Sequence, residues 1–99
     1  MDTKEEIIDF LKMHEKRLKE QYHLVRLGLF GSFARNEAKK ESDVDILIEL
    51  EDNTEDIHEL KKSLRSYLQK SFHRNVDLAR EKYLKSYAKE MILRDTIYV

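Results

Sequence analysis

Between Leu29 and Leu50 the chain reads LFGSFARNEAKKESDVDILIEL. An apolar run stops at Gly31-Ser32, a polar stretch follows, and a second apolar run opens on two aspartates one residue apart. Val44, Ile46, Ile48 and Leu50 alternate with Asp45, Leu47 and Glu49, the period of a strand. Upstream, Val25, Leu27 and Leu29 alternate with Leu24, Arg26 and Gly28, which predicts a strand from about Leu24 to Phe30, buried mainly on one face and ending at Gly31. Two strands this close, with about two turns of helix over Phe33–Ala38 and a polar loop from Lys39 to Ser42 between them, restrict the fold to sheets with helices packed on them.

The remaining segments alternate in the same way. Thr3-Lys4-Glu5-Glu6 is a capping-box pattern, and Ile7, Leu11, Leu18 and Tyr22 follow at helical spacing, with Ile8 and Phe10 widening the stripe. Asn53-Thr54-Glu55-Asp56 reads as a second start with a capping side chain, carrying Ile57, Leu60, Leu64, Tyr67 and Leu68 on one face. A short strand is expected at Asn75–Ala79, a last helix at Glu81–Arg94 with Leu84, Tyr87, Ala88 and Met91 on its packing side, and a closing strand within Thr96–Val99. The order α-β-α-β-α-β-α-β gives an α/β (α+β) class, a small mixed β-sheet packed with helices. Residues 1–99 read as one domain, too small to carry a separate substrate-binding domain.

Composition excludes several functions. Nineteen basic residues against twenty acidic ones leave a net charge of −1, so no polyanion-binding bias follows and direct nucleic-acid binding is not expected. Without cysteine there are no disulfides and no thiolate metal sites. No apolar run approaches the roughly 18 residues of a membrane span, and the acidic start is unlike a secretory leader, so a soluble, cytoplasmic protein is expected. His14, His23, His58 and His73 show no ligand spacing and read as surface or partly buried residues. Tyr83, Tyr87 and Tyr98 read as packing or interface residues, and the basic residues from Arg80 to Arg94, interleaved with acids, read as a solvated face.

The chemistry concentrates around the central stretch. Gly31 at a strand-to-helix turn allows positive φ and close backbone approach, and unpaired N–H groups there attract phosphate; Ser32 adds a hydroxyl. A plain turn is the competing reading. Asp43 and Asp45, at i and i+2, point to one face with Cα atoms about 6.5–7 Å apart, near enough to converge on a divalent cation. Alternatively, Asp43 belongs to a turn and Asp45 protects a strand edge. Asp77, between Val76 and Leu78, is costly unless exposed or paired. It completes a carboxylate trio if its strand lies beside Val44.

Together, Gly31-Ser32, ten intervening residues, Asp43-Val44-Asp45 and the later Asp77 resemble the nucleotidyltransferase superfamily of DNA polymerase beta. The short form is similar to its minimal nucleotidyltransferase branch, the antitoxin half of modules with a HEPN-domain toxin. The resemblance runs from about Val25 to Val99. Asn36 stands where many members have Gly, and because Asn is the next choice for a left-handed helix end, the turn is expected to survive.

The resemblance implies Mg²⁺-dependent transfer of AMP from ATP to a protein hydroxyl, a tyrosine of the cognate HEPN toxin. It implies ATP over Gly31, Ser32 and Arg35, and two Mg²⁺ ions on Asp43, Asp45 and Asp77, the catalytic carboxylates. Arg35 also reads as a solvent-facing residue, and Ser42 as a cap. Two alternatives remain: a non-catalytic antitoxin that masks the toxin by binding, and a homodimeric enzyme acting on a small hydroxyl compound.

Overall fold

The computed structural model describes residues 1–99. Helix α1 (Lys4–Tyr22) starts at Thr3, whose hydroxyl accepts the Glu6 N–H at 3.1 Å. Glu6 reaches back to the Asp2 N–H and the Thr3 hydroxyl, closing the capping box one residue earlier than the ideal pattern. Ile7, Leu11, Leu18 and Tyr22 are the buried residues of α1. The helix stops at His23, whose φ of 56° is left-handed and whose N–H bonds to Lys19 O.

Strand β1 (Leu24–Phe30) departs from simple alternation. Leu24 faces Leu50 of β2 (Val44–Leu50), but Arg26 faces Glu49, so a bulge sits at Val25. The extra residue puts Leu24 on the same face as Leu27 and Leu29 and turns Val25 outward, 52% exposed, the reverse of the assignment that strict period 2 predicts.

The turn after β1 is shorter than expected. Helix α2 is one turn, Gly31–Ala34, and Asn36 at φ 59° ends it. Glu37 N–H bonds to Ser32 O at 2.8 Å and Asn36 N–H to Phe33 O at 3.1 Å, the paired bonds of a Schellman end. Asn36 therefore supplies the left-handed helix end, and α2 stops after one turn.

Helix α3 (Ile57–Phe72) begins later than the polar run suggested, with Asp56 at φ 51° and no side-chain cap. The Thr54 hydroxyl instead bonds back to Glu51 O, closing the preceding turn. Leu64, Leu68 and Phe72 are fully buried on α3, which ends at His73 with φ 56°, as α1 does at His23. Strand β3 (Val76–Arg80) follows.

The sheet order is β3-β2-β1-β4, with β1 antiparallel to β2 and to β4, and β2 parallel to β3. Val44, Ile46, Ile48 and Leu50 of β2 join α1 and α3 in a core of sixteen buried residues. At roughly 1.5–3 kcal/mol per buried large aliphatic or aromatic side chain, this face supplies most of the driving force for folding. Leu47 faces the other way and is also 1% exposed.

The expected final helix is divided. A 3₁₀ turn, Glu81–Tyr83, leads into extended Leu84 and Lys85 before α4 (Ser86–Asp95). The break resets the helical phase, so Tyr87 and Met91 stand 83% and 59% exposed rather than packing. Strand β4 (Ile97–Tyr98) closes on β1 beside Gly28, where a Cβ would lie 2.8 Å from Thr96 Cγ2 and 3.0 Å from Ile97 O. No helix is long and apolar enough to cross a membrane.

Candidate active site

Sheet direction assembles the site. Because β1 is antiparallel to β2, the end of β1 meets the start of β2, and Phe30 pairs with Asp45. Because β3 is parallel to β2, its start lies at the same end, and Asp45 pairs with Asp77. Neighbouring strands are about 4.8 Å apart, so two carboxylates emerge side by side on one face. Asp43 precedes Val44, whose N–H bonds to Asn75 O at 2.9 Å and fixes the first rung of the parallel ladder.

Gly31 follows Phe30 with φ 75°, at the corner beside Asp45. A Cβ there would come within 2.9 Å of Asp45 Cγ and closer still to Oδ2. Two requirements converge on this position: left-handed backbone and the lack of a side chain where the Asp45 carboxylate packs against it. Ser32 is partly buried on the first turn of α2, and Phe33 behind it is buried in the core.

The three aspartates differ in exposure. Asp43 and Asp77 are exposed, whereas Asp45 is partly buried. Burial, together with the charges of Asp77 and Asp43, pushes the Asp45 carboxyl up to about 6, with Arg35 pulling weakly the other way. No three His, Asp or Glu side chains are close enough to hold a metal ion by themselves. Mg²⁺ commonly takes only one or two carboxylates and completes its shell with phosphates and water. The hard oxygen donors, and the repulsion that a cation would relieve at Asp45, fit that mode.

Residues 11–99 match the nucleotidyltransferase domain family. The chain belongs to that family. The protein adenylyltransferase MntA of Thermococcus cleftensis is 41% identical over 101 residues, covering 100% of this chain and 98% of the relative. A solved structure described as a minimal nucleotidyltransferase superposes with a TM-score of 0.79 at 27% identity, covering 96% of this chain and 94% of that one. A toxin–antitoxin crystal structure with AMP-PNP shares the fold, with a TM-score of 0.66 at 20% identity over 85% of this chain and 68% of that one.

In this nucleotidyltransferase, Arg35 is exposed and held by acids: its Nε bonds to Glu37 Oε2 at 3.0 Å, and Nη1 lies 3.8 Å from Asp95 Oδ2. Ser42 is the expected cap, its Oγ accepting the Lys39 N–H at 2.7 Å. Of the four histidines, His14 is partly buried and the others are exposed. Tyr83, Tyr87 and Tyr98 are all exposed, so none packs in the core; Tyr83 and Tyr98 lie under the Arg80 and Arg26 guanidinium groups. Arg80 is no part of a solvated helix face: it lies on β3, 9% exposed at its side chain, and bonds to Glu49 Oε1 at 2.7 Å. Arg74 also escaped the sequence reading, because an arginine between a helix end and a strand carries no pattern of its own. A cavity of about 620 Å³ lies at the Glu49–Arg80 end and includes none of the three aspartates, which occupy the opposite end of β2.

Proposed function

We propose that this nucleotidyltransferase is a protein adenylyltransferase that transfers AMP from ATP to a hydroxyl of a partner protein, a tyrosine of a cognate HEPN-domain toxin, and thereby acts as an antitoxin. The observation that carries the reading is the in-register pair Asp45–Asp77 beside Gly31, two carboxylates at one end of the sheet next to a left-handed corner that admits no side chain. A protein acceptor is supported by the name of the MntA relative and by the shared fold of the toxin–antitoxin pair with AMP-PNP. It is also supported by the exposure of Asp43 and of Asp77 on edge strand β3, which leaves room for a macromolecule that brings its own binding surface.

Gly31 lets the triphosphate approach the backbone, and Ser32 donates its hydroxyl to a phosphate oxygen. Arg35 reaches the same phosphates by exchanging its Glu37 contact for them. Asp43, Asp45 and Asp77 would hold Mg²⁺, which when bound neutralises charge on the entering and leaving oxygens of an in-line displacement. The acceptor oxygen forms a bond to the α-phosphorus as the bond to pyrophosphate breaks. Asp77, on the exposed edge, accepts the phenolic proton. Asp45 must be ionised to work, so its raised carboxyl makes nucleotide binding proton-linked.

The test is intact mass of the HEPN partner after incubation with this chain, ATP and Mg²⁺, beside an Asp43→Ala/Asp45→Ala control. Additions of whole AMP units that vanish in the control are expected, and fragment mapping names the acceptor. A partner inhibited equally by both proteins and never modified would replace transfer with masking. Turnover on a free hydroxyl compound without partner would favour a small acceptor.

A further inference from the structure

Arg74 uses every face of its guanidinium. Nη1 donates to Lys40 O at 2.8 Å and Ser42 O at 3.0 Å, Nε donates to Met1 O at 2.9 Å, and Nη2 donates to Asp2 Oδ1 at 2.9 Å. Its carbon Cζ lies 5.0 Å from the centre of the Phe33 ring. Its side chain is only 11% exposed, whereas that of Asp2 is 84% exposed. An exposed ion pair alone adds little to stability, so Asp2 does not explain the arrangement. The backbone carbonyls and the aromatic face do.

Those partners are the supports of the site. Ser42 immediately precedes Asp43, and the turn from Lys39 to Ser42 is otherwise closed on itself by Ser42 N–H to Lys39 O and Lys39 N–H to Ser42 Oγ. Phe33 follows Gly31-Ser32 in α2. Asn75, next to Arg74, accepts the Val44 N–H and opens the β2–β3 ladder that places Asp45 beside Asp77. One side chain thus joins the three segments that carry Gly31-Ser32, Asp43 and Asp77.

We infer that Arg74 is a positioning residue for the nucleotidyl-transfer site, fixing the Lys39–Ser42 turn against α2 so that Asp43 is presented beside Asp45. This rests on the proposed roles of the aspartates, but its own basis is the geometry of the turn. Lysine cannot replace it, because a single ammonium cannot reach two loop carbonyls and Met1 O while also lying over the Phe33 ring. Supporting groups that orient metal ligands commonly change metal affinity or activity by about 10–100-fold when removed.

The experiment compares wild type, Arg74→Lys and Arg74→Met by hydrogen exchange, by Mn²⁺-ATP titration with calorimetry, and by AMP transfer to the partner. Amides of residues 39–44 should exchange at least tenfold faster in both variants, while those of Ile46–Ile48 keep their protection. Mn²⁺-ATP affinity should fall about tenfold, and kcat should fall more than KM for ATP rises. Arg74→Met, which keeps the packing on Phe33, separates this from unfolding: a uniform loss of protection throughout the sheet would make Arg74 a stability residue and overturn the inference. Unchanged exchange at 39–44, or faster exchange with unchanged Mn²⁺-ATP binding, would overturn it as well. If wild type transfers no AMP, the proposed function fails, and exchange and nucleotide titration still decide the role of Arg74.

Discussion

Asp45 and Glu49 lie on the same face of β2, four residues apart, each beside β3, yet their environments push them in opposite directions. Burial raises Asp45, and its neighbours Asp77 and Asp43 raise it further, to about 6. Burial also acts against the ionised Glu49, but the Leu50 N–H and the Arg80 guanidinium outweigh it and hold that carboxyl below its usual range. Glu49 is a satisfied group with its own cation. Asp45 is an acid among acids, with only Arg35 nearby, and Arg35 is itself engaged by Glu37. One strand thus holds at one end a carboxylate paired with its own cation and at the other a carboxylate raised by burial and by neighbouring acids, the kind of perturbed environment that marks a candidate site.

The sharpest break of this contrast is Asp45→Asn. It should lower AMP transfer about 10³-fold, several kcal/mol of transition-state stabilisation, while leaving the folded protein at least as stable at neutral pH, because it removes an uncompensated charge. Transfer assays and urea unfolding on the same preparation check both halves; a destabilised protein would make Asp45 structural. Arg80→Met should do the reverse. It leaves Glu49 partly buried without its cation and should destabilise by about 2–3 kcal/mol, with kcat changed less than threefold. A large loss of activity in a stable Arg80→Met protein would erase the distinction between the two ends.

Gly31→Ala sharpens the comparison at the corner where β1 meets Asp45. The methyl would press on the carboxylate and strain a φ of 75°, so a loss of about 1–2 kcal/mol in stability is expected, together with weaker ATP binding measured by calorimetry.

The smallest effect is in pH. Between about pH 4 and 6 the folded protein retains at Asp45 a proton that the unfolded chain, ionising near 3.8, has released. The unfolding free energy from this group therefore falls as pH rises through that window and is flat above it. Allowing for solvent screening at a partly exposed site, the change is about 1 kcal/mol. Glu49 has the opposite sign, contributing stability above its ordinary value of 4.5 that is lost as pH falls through its lowered one. Urea curves at pH 4.5 and 7 should show the Asp45 component in wild type and not in Asp45→Asn. ATP–metal affinity should rise with pH through 6.

Much of this was legible in the residues. Thr3 and Glu6 announced the first helix, and the alternation of Val44 to Leu50 announced the central strand. Both signals are local: a cap or a period is complete within one segment. The candidate residues stood out because glycine and paired acids are rare choices beside apolar strands, and the structure brings Gly31, Asp45 and Asp77 to one end of the sheet; Asn36 carried its left-handed turn visibly. Other expectations failed where neighbours intervened. The Val25 bulge, the delayed start of α3 at Ile57 and the phase break at Leu84-Lys85 all depend on what the segment packs against.

The sequence by itself thus determined the alternation of helices and strands and the Gly31 corner, and it singled out Asp43, Asp45 and Asp77 as candidates, because those rest on backbone preferences and on charge. Only the tertiary structure decided that β3 runs parallel to β2, and hence that Asp77 stands beside Asp45 while Arg80 reaches Glu49. It also decided that Arg74 should join Ser42, Asp2 and Phe33, residues 32, 72 and 41 positions away. Pairing between distant segments is set by the burial of the whole sheet, and no local pattern records which partner each side chain will meet.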